Sequence, residues 1–363
     1  MRKCFIILSI LLMMCLYTDA ADSLNVEGPK KQMNWLRRTI RGFSYIDTNY
    51  VEPQHYNWAA MVQATHTYDY YRLSTIGNNR QTITFAPTPN IKAGPYFGWR
   101  WVFFGYTFDL KKIDVESKSI KQEFDFSIYS AQVGADIYYR RTGSDYKIRN
   151  VDFGKSVDSR NMENIPFDGI SVGITGFNIY YIFNHQRFSY PAAFAQSTCQ
   201  KISCGSWMAG LGYMRNSIDF NYEEMERLAK VSIGQTVKLD SGLMFNSVKY
   251  TDLNFSAGYA YNWVFAKNCL FCSSLSLALA YKSSHSETAD EDRRGFSFGN
   301  FNVDGIGRFG LVWNNTRWYA GASAIIRAYN YHKSRFAANN VFGSLNFYIG
   351  FNFGARGDYK KKK

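Results

Sequence analysis

Between Leu345 and Phe353, five bulky apolar residues (Leu345, Phe347, Ile349, Phe351 and Phe353) alternate with Asn346, Tyr348, Gly350 and Asn352. Period-two alternation sends successive side chains to opposite faces of a strand. An amphipathic, aromatic-rich strand near the chain's end is what a bacterial outer-membrane barrel needs to close. The pattern therefore constrains location and architecture more tightly than chemistry.

The same alternation recurs upstream. Trp318, Ala320, Ala322, Ala324, Ile326 and Ala328 interleave with Tyr319, Gly321, Ser323, Ile325 and Arg327. Phe309, Leu311 and Trp313 face one way, as do Leu275, Leu277, Leu279 and Tyr281, and Phe255, Ala257, Tyr259, Tyr261, Trp263 and Phe265. These runs suit tilted membrane-spanning strands, which need about 9 to 11 residues. Further candidates lie near 56–72, 81–97, 101–110, 121–141, 170–184, 187–198 and 206–218, which with the five C-terminal strands makes twelve. An even count keeps both chain ends on one side. The polar stretch from Thr142 to Asp168 leaves ten or fourteen open. The expected fold class is all-β: an antiparallel up-and-down transmembrane β-barrel of about 12 strands, preceded by a short N-terminal amphipathic helix.

Composition agrees with strands. The chain has 29 phenylalanines, 27 tyrosines and 8 tryptophans against 7 prolines, and aromatic residues favour the pleated surface. Arg2 and Lys3, an apolar run from Cys4 to Leu16 and Thr18-Asp19-Ala20 read as a secretory signal cleaved after Ala20. Bulky Met14 before Cys15 argues against a lipid anchor. The expected divisions are a signal peptide (1–20), a periplasmic N-terminal segment (21–55), the barrel (56–353) and a basic tail (354–363). Beyond the signal no stretch approaches the roughly 20 apolar residues of a spanning helix. The formal charge of +13 falls to +12 when Arg2, Lys3 and Asp19 leave with the signal. For an exported chain this balance points to anionic lipopolysaccharide or solutes rather than nucleic acid.

If the last strand ends in the periplasm, the turns at Gly98-Trp99-Arg100, Ala266 to Cys272 and Asn314-Asn315-Thr316 fall on the periplasmic side. Asn221 to Asn246, Ser283 to Asn300 and Tyr329 to Asn340 become long outer loops. Short periplasmic turns and long outer loops are the usual asymmetry. Trp58, Trp99, Trp101, Trp207, Trp263, Trp313 and Trp318 then sit near periplasmic strand ends, where indole rings form an interface girdle. A soluble secreted β-sandwich has no use for such a girdle. Ahead of the barrel, Met33, Leu36, Ile40 and Phe43 recur at helical spacing among Lys30, Lys31, Arg37, Arg38 and Arg41. This basic amphipathic helix would lie on the inner leaflet, enter the lumen or form a flap on the rim.

Two familiar motifs lack their context. Gly295-Phe296-Ser297-Phe298-Gly299 matches a hydrolase elbow and Gly305-Ile306-Gly307-Arg308-Phe309-Gly310 a dinucleotide fingerprint. Both motifs require a following helix, and strands follow here. Cys199 and Cys204, and Cys269 and Cys272, are expected to form local disulfides in periplasmic turns, with a four-thiolate zinc site the weaker reading. Neither a metal centre nor a cofactor is expected. The histidines are dispersed, and only His285, among Glu287, Asp290, Glu291 and Asp292, suggests chemistry. That cluster reads first as a solvated loop tip, so no catalytic residue is assigned.

Strand parity turns Lys92, Arg140, Lys282, Arg308, Arg317 and Arg327 into the lumen together with Asp69, Asp125, Asp136 and Asp304. Such charges select anionic solutes or pair and seal a narrow barrel.

Asn49-Tyr50-Val51-Glu52-Pro53, Gly94-Pro95-Tyr96-Phe97-Gly98-Trp99-Arg100, Tyr139-Arg140-Arg141-Thr142-Gly143-Ser144-Asp145-Tyr146 and Phe188-Ser189-Tyr190-Pro191-Ala192-Ala193-Phe194 carry a resemblance. The chain resembles, over nearly its whole mature length, an uncharacterised family of Gram-negative envelope proteins, a domain of unknown function. The resemblance implies a signal peptide and an outer-membrane barrel, and it implies no activity or site residues.

Three functions follow as expectations. The first is a barrel passing or binding small solutes, the second an enzyme acting on lipid, lipopolysaccharide or peptide at the outer rim, and the third a structural or surface-interaction barrel. The expected partners are outer-membrane lipids, lipopolysaccharide and the barrel assembly machinery, with no nucleic acid. Oligomeric state is not readable. The tail from Gly354 to Lys363 leaves the insertion signal open: either Phe353 serves from an internal position, or the four terminal lysines are a late addition.

Overall fold

The computed structural model describes residues 46–359 apart from 77–79, 88–89, 100–101, 106–107, 110–121, 143–145, 155–156, 287–300 and 334–335. The signal segment, the basic N-terminal helix, Trp101 and the terminal lysines lie outside the described residues.

The chain opens with β1 (Val51–Pro53), β2 (Tyr56–Thr75), β3 (Thr82–Pro87), β4 (Asn90–Trp99), β5 (Val102–Gly105) and β6 (Phe108–Asp109). It continues through β7 (Gln122–Tyr129), β8 (Val133–Arg141), β9 (Tyr146–Asp152) and β10 (Ile170–Ile182). Helix α1 (Tyr190–Phe194) and β11 (Thr198–Gln200) precede β12 (Cys204–Phe220) and helix α2 (Tyr222–Ile233). Five strands end the fold: β13 (Ser247–Ala266), β14 (Cys269–Ser286), β15 (Phe301–Asn314), β16 (Trp318–Lys333) and β17 (Phe336–Ala355).

The fold is an all-β antiparallel sheet whose main path has twelve strands in the order β5-β4-β2-β17-β16-β15-β14-β13-β12-β10-β8-β7. First and last long strands pair along their whole length, from Tyr56↔Ala355 to Thr75↔Phe336. The opening pattern therefore belongs to the ladder that joins the two ends of the chain. The path's own ends, β5 and β7, are separated in the chain by β6 and residues 110–121, and among the described residues no ladder joins them.

The expected twelve strands match the main path in number, but several expected elements differ, with 81–97 holding β3 and β4 and 101–110 holding β5 and β6. The segment 121–141 is a hairpin, β7 and β8, turning at Ser130–Gln132 rather than one strand. The segment 187–198 is not a wall strand, because Ser189 caps α1 by accepting from the Ala192 amide at 3.3 Å and Pro191 occupies its first turn. Phe188, Tyr190, Ala192 and Phe194 alternate as a strand would, and capping decides against it. The link from Tyr329 to Asn340 is also shorter than expected, since β16 and β17 pair to Lys333↔Phe336.

Alternation then sorts the faces. On β17, Phe347, Ile349 and Phe351 point outward and are exposed, whereas Tyr348, Gly350 and Asn352 are buried inward. Leu275 and Leu277 on β14 are 63% and 68% exposed, and Leu253, Phe255, Leu211 and Leu311 are also exposed. The molecule is apolar outside.

Inside, tyrosines fit over glycines on the neighbouring strand. Tyr180 lies over Gly134, its register partner, and Tyr138 over Gly176. Tyr319 covers Gly350 on β17. A methyl group at Gly176 would stand 2.1 Å from the Tyr138 ring, so the missing side chain is the slot that the ring needs.

Turns of few residues gather at one end: Ser130–Gln132, Lys267-Asn268 and Asn315–Arg317, with both the start of β2 and the end of β17. Asn268 takes a left-handed φ of 65°, which asparagine tolerates. At the opposite end β3, β9, α2 and the segment 157–169 pack Phe85, Phe167, Phe220, Phe245, Met162 and Met225 into a cap.

Candidate functional site in the lumen

Wall residues fill the middle of the lumen. Arg308 on β15 is ion-paired with Asp136 on β8, both 2% exposed at the side chain. Ser127 donates to the other Asp136 oxygen at 2.7 Å. The two strands stand five positions apart on the twelve-strand path, so this pair crosses the barrel rather than linking neighbours. A second contact spans six positions, with the Tyr138 and Tyr329 hydroxyls 3.0 Å apart. Opposite walls meet.

A second cluster lies on adjacent strands. Lys282 (β14) sits 2.9 Å from Asp304 (β15) and 3.3 Å from Asp252 (β13), with all three side chains at zero exposure. It also donates to the Asn330 carbonyl, and the Asn330 amide returns a 2.9 Å bond to Asp304. Aromatic faces take the remaining cations: Arg140 lies 4.8 Å from the Phe342 ring centroid and Arg327 5.0 Å from Tyr138. The buried charges of the described residues are four cations (Arg140, Lys282, Arg308, Arg327) and four carboxylates (Asp69, Asp136, Asp252, Asp304). They balance.

Sequence parity placed seven of these eight on the inner face, where the structure buries them. Asp252 was missed, although it shares the parity of Ser256, Ala260 and Asn262 on the same strand. Lys92 is half-buried on the inner side of β4. Arg317 is not lumenal. It sits exposed in a turn held by the Asn315 side chain, because β16 begins only at Trp318. Asp125 belongs to β7, but its side chain lies outside the described residues, as does that of Trp99.

The short-turn end is closed by an inserted plug, residues 184–203. Gln200 is its hub: the amide donates to the Arg187 carbonyl at 2.7 Å and the Ile202 carbonyl at 2.9 Å. Its oxygen accepts from the Ser189 amide at 2.9 Å and from Asn262 of the wall at 3.0 Å. Tyr190 donates to Ser274 at 2.8 Å and Gln196 to Tyr348 at 2.7 Å. The N-terminal segment seals it from below, where β1 pairs with β11 (Val51↔Gln200) and Lys201 stands 3.4 Å from Glu52.

The four cysteines are free. Cys269 and Cys272 both belong to β14. Three residues of extended strand separate Cα atoms by roughly 10 Å, beyond a disulfide's reach of about 7 Å, and odd spacing puts the thiols on opposite faces. Cys199 pairs in β11 opposite Glu52 while Cys204 opens β12. Burial pushes the Cys199 thiol up to about 12. Among the described residues no cluster has metal-binding geometry. Trp58, Trp207, Trp263, Trp313 and Trp318 all point outward near the short-turn end and are exposed, Trp207 by 66%. His285 lies at the far end of β14, and its acidic neighbours from Glu287 lie outside the described residues.

Residues 45–353 match a protein family described as a domain of unknown function (DUF4421). The chain belongs to this family. No curated protein matches the DUF4421 chain. Solved structures similar to it include the outer membrane protease OmpT from Escherichia coli, at 8% identity and a TM-score of 0.33, covering 82% of this chain and 97% of that one. The translocator domain of the autotransporter NalP from Neisseria meningitidis follows at 10% identity and 0.30, covering 82% and 88%. The outer membrane protein OprG from Pseudomonas aeruginosa stands at 9% and 0.25, covering 84% and 99%. Likenesses this distant add nothing about what the DUF4421 chain does.

Proposed function

We propose that the chain is an integral outer-membrane β-barrel with a closed lumen, which works as a structural or binding protein through its two rims. The apolar outer face supports the membrane reading. Each large apolar side chain left in water forgoes roughly 1.5–3 kcal/mol of burial, and lipid acyl chains supply that burial to Leu275, Leu277, Phe347 and Ile349. The outward tryptophans at the short-turn end suit the interface, and the short turns there support reading that end as periplasmic. Lipids and lipopolysaccharide are then the immediate partners, and insertion falls to the barrel assembly machinery.

The observation that carries the closed lumen is the Arg308–Asp136 pair across the barrel. A standing path for anionic solutes needs unmatched lumenal cations, and the buried charges here are matched four to four. Among the described residues no arrangement of nucleophile, base and orienting group favours an enzyme at the outer rim. Liposome swelling tests the reading: protein-containing vesicles should swell in small sugars or amino acids no faster than protein-free ones. Swelling that scales with protein content would restore solute passage.

A further inference from the structure

At the short-turn end a cavity of about 320 Å³ lies between the plug and the barrel wall. This is in the range of small-molecule sites. Its buried lining is apolar at Ala192 of α1, Leu270 of β14 and Val312 of β15 and polar at Gln200 of β11 and Asn314 of β15. Its mouth is cationic, lined by Lys201 and by Lys267 of the β13–β14 turn. Glu52 faces Lys201 at 3.4 Å. Lys267 is exposed and forms no ion pair among the described residues, so the mouth keeps one unmatched ammonium.

The geometry points to a binding site for a small amphiphilic acid, an acyl chain of about eight carbons with a carboxylate head. An apolar floor under a polar rim orients such a ligand. The chain lies on Ala192, Leu270 and Val312 while the head meets Lys267 in a charge-assisted hydrogen bond. At the ~30 Å³ that one water occupies, the cavity takes roughly ten non-hydrogen atoms, as many as octanoate has. Two ammonium groups against one carboxylate turn away a cationic head. The site stands on its own walls and does not depend on the lumen being closed.

Octanoate titrated calorimetrically into the full chain in lipid nanodiscs, with empty nanodiscs subtracted, should bind saturably at one per chain. Octanol should bind at least about tenfold more weakly, and Lys267→Gln should weaken octanoate about tenfold, the order expected for losing a charged hydrogen bond. The exposed turn leaves the thermal midpoint of that variant unchanged. Cys199 lines the cavity, so octanoate should also slow its alkylation at alkaline pH, where its raised thiol begins to ionise, followed by peptide mapping, while Cys269 reacts at its former rate. Non-saturable partitioning, equal affinity for octanol, or equal protection of both cysteines would overturn the proposal.

Discussion

Two regions close this barrel in different ways. In the middle the seal is made of wall residues: Arg308 and Asp136 belong to strands paired on both sides and cannot leave without breaking the sheet. At the short-turn end the seal is a loop folded inward, held by hydrogen bonds through Gln200, Tyr190 and Gln196. Only the second could be withdrawn with the barrel intact. A plug above an otherwise open lumen describes a gate, whereas a plug above a bridged lumen is a floor.

That contrast predicts unequal costs. Arg308→Ala should be the most damaging change, because it leaves Asp136 buried without the cation that bonds it, at about 3–5 kcal/mol. Urea unfolding in detergent measures it. The double replacement Arg308→Met with Asp136→Leu should recover most of the loss, and failure to recover would mean that the strut does more than match a charge. Gly176→Ala comes next, at roughly 1–3 kcal/mol, since the Tyr138 ring occupies the position of the new methyl. Gln200→Ala should cost about 1–3 kcal/mol by stranding the Ser189 amide and the Arg187 carbonyl. Limited proteolysis should show that loss confined to the plug. A cut in the wall strands would erase the distinction between the two seals.

The smallest effect belongs outside both regions. Asp158 and Arg160 are exposed in the far cap, and hydrogen bonds from Arg160 lower the Asp158 carboxyl to about 2 from 3.8. A depressed carboxyl stabilises above its unfolded value and loses that contribution as pH falls from about 4 through 2. Solvent screens this pair, so Asp158→Asn should leave neutral-pH unfolding indistinguishable from wild type. Any difference should appear only between wild-type and variant acid titrations.

Period-two alternation made the outer face legible, because lipid-facing positions require every second residue to be apolar. The C-terminal strands carry it most clearly over Phe309–Trp313 of β15 and Phe347–Asn352 of β17. Parity also marked the inner charges, but not who meets whom. The Arg308 contact with Asp136 depends on how far opposite walls approach, and no local pattern encodes that distance. Along the plug Phe188, Tyr190, Ala192 and Phe194 alternate like a strand, although Ser189 and Pro191 carry the signal of a capped helix. The main path still has twelve strands because the β7–β8 hairpin supplies the wall strand that the plug does not.

Planar-bilayer recording tests the closed lumen most directly when it compares wild type with a variant whose residues 188–200 are replaced by a short Gly-Ser linker, each retaining its β-sheet circular dichroism. The bridged lumen predicts no stepwise conductance from either protein at any voltage. Steady steps from the wild type, or from the variant alone, would contradict it, the second result making the plug the true seal.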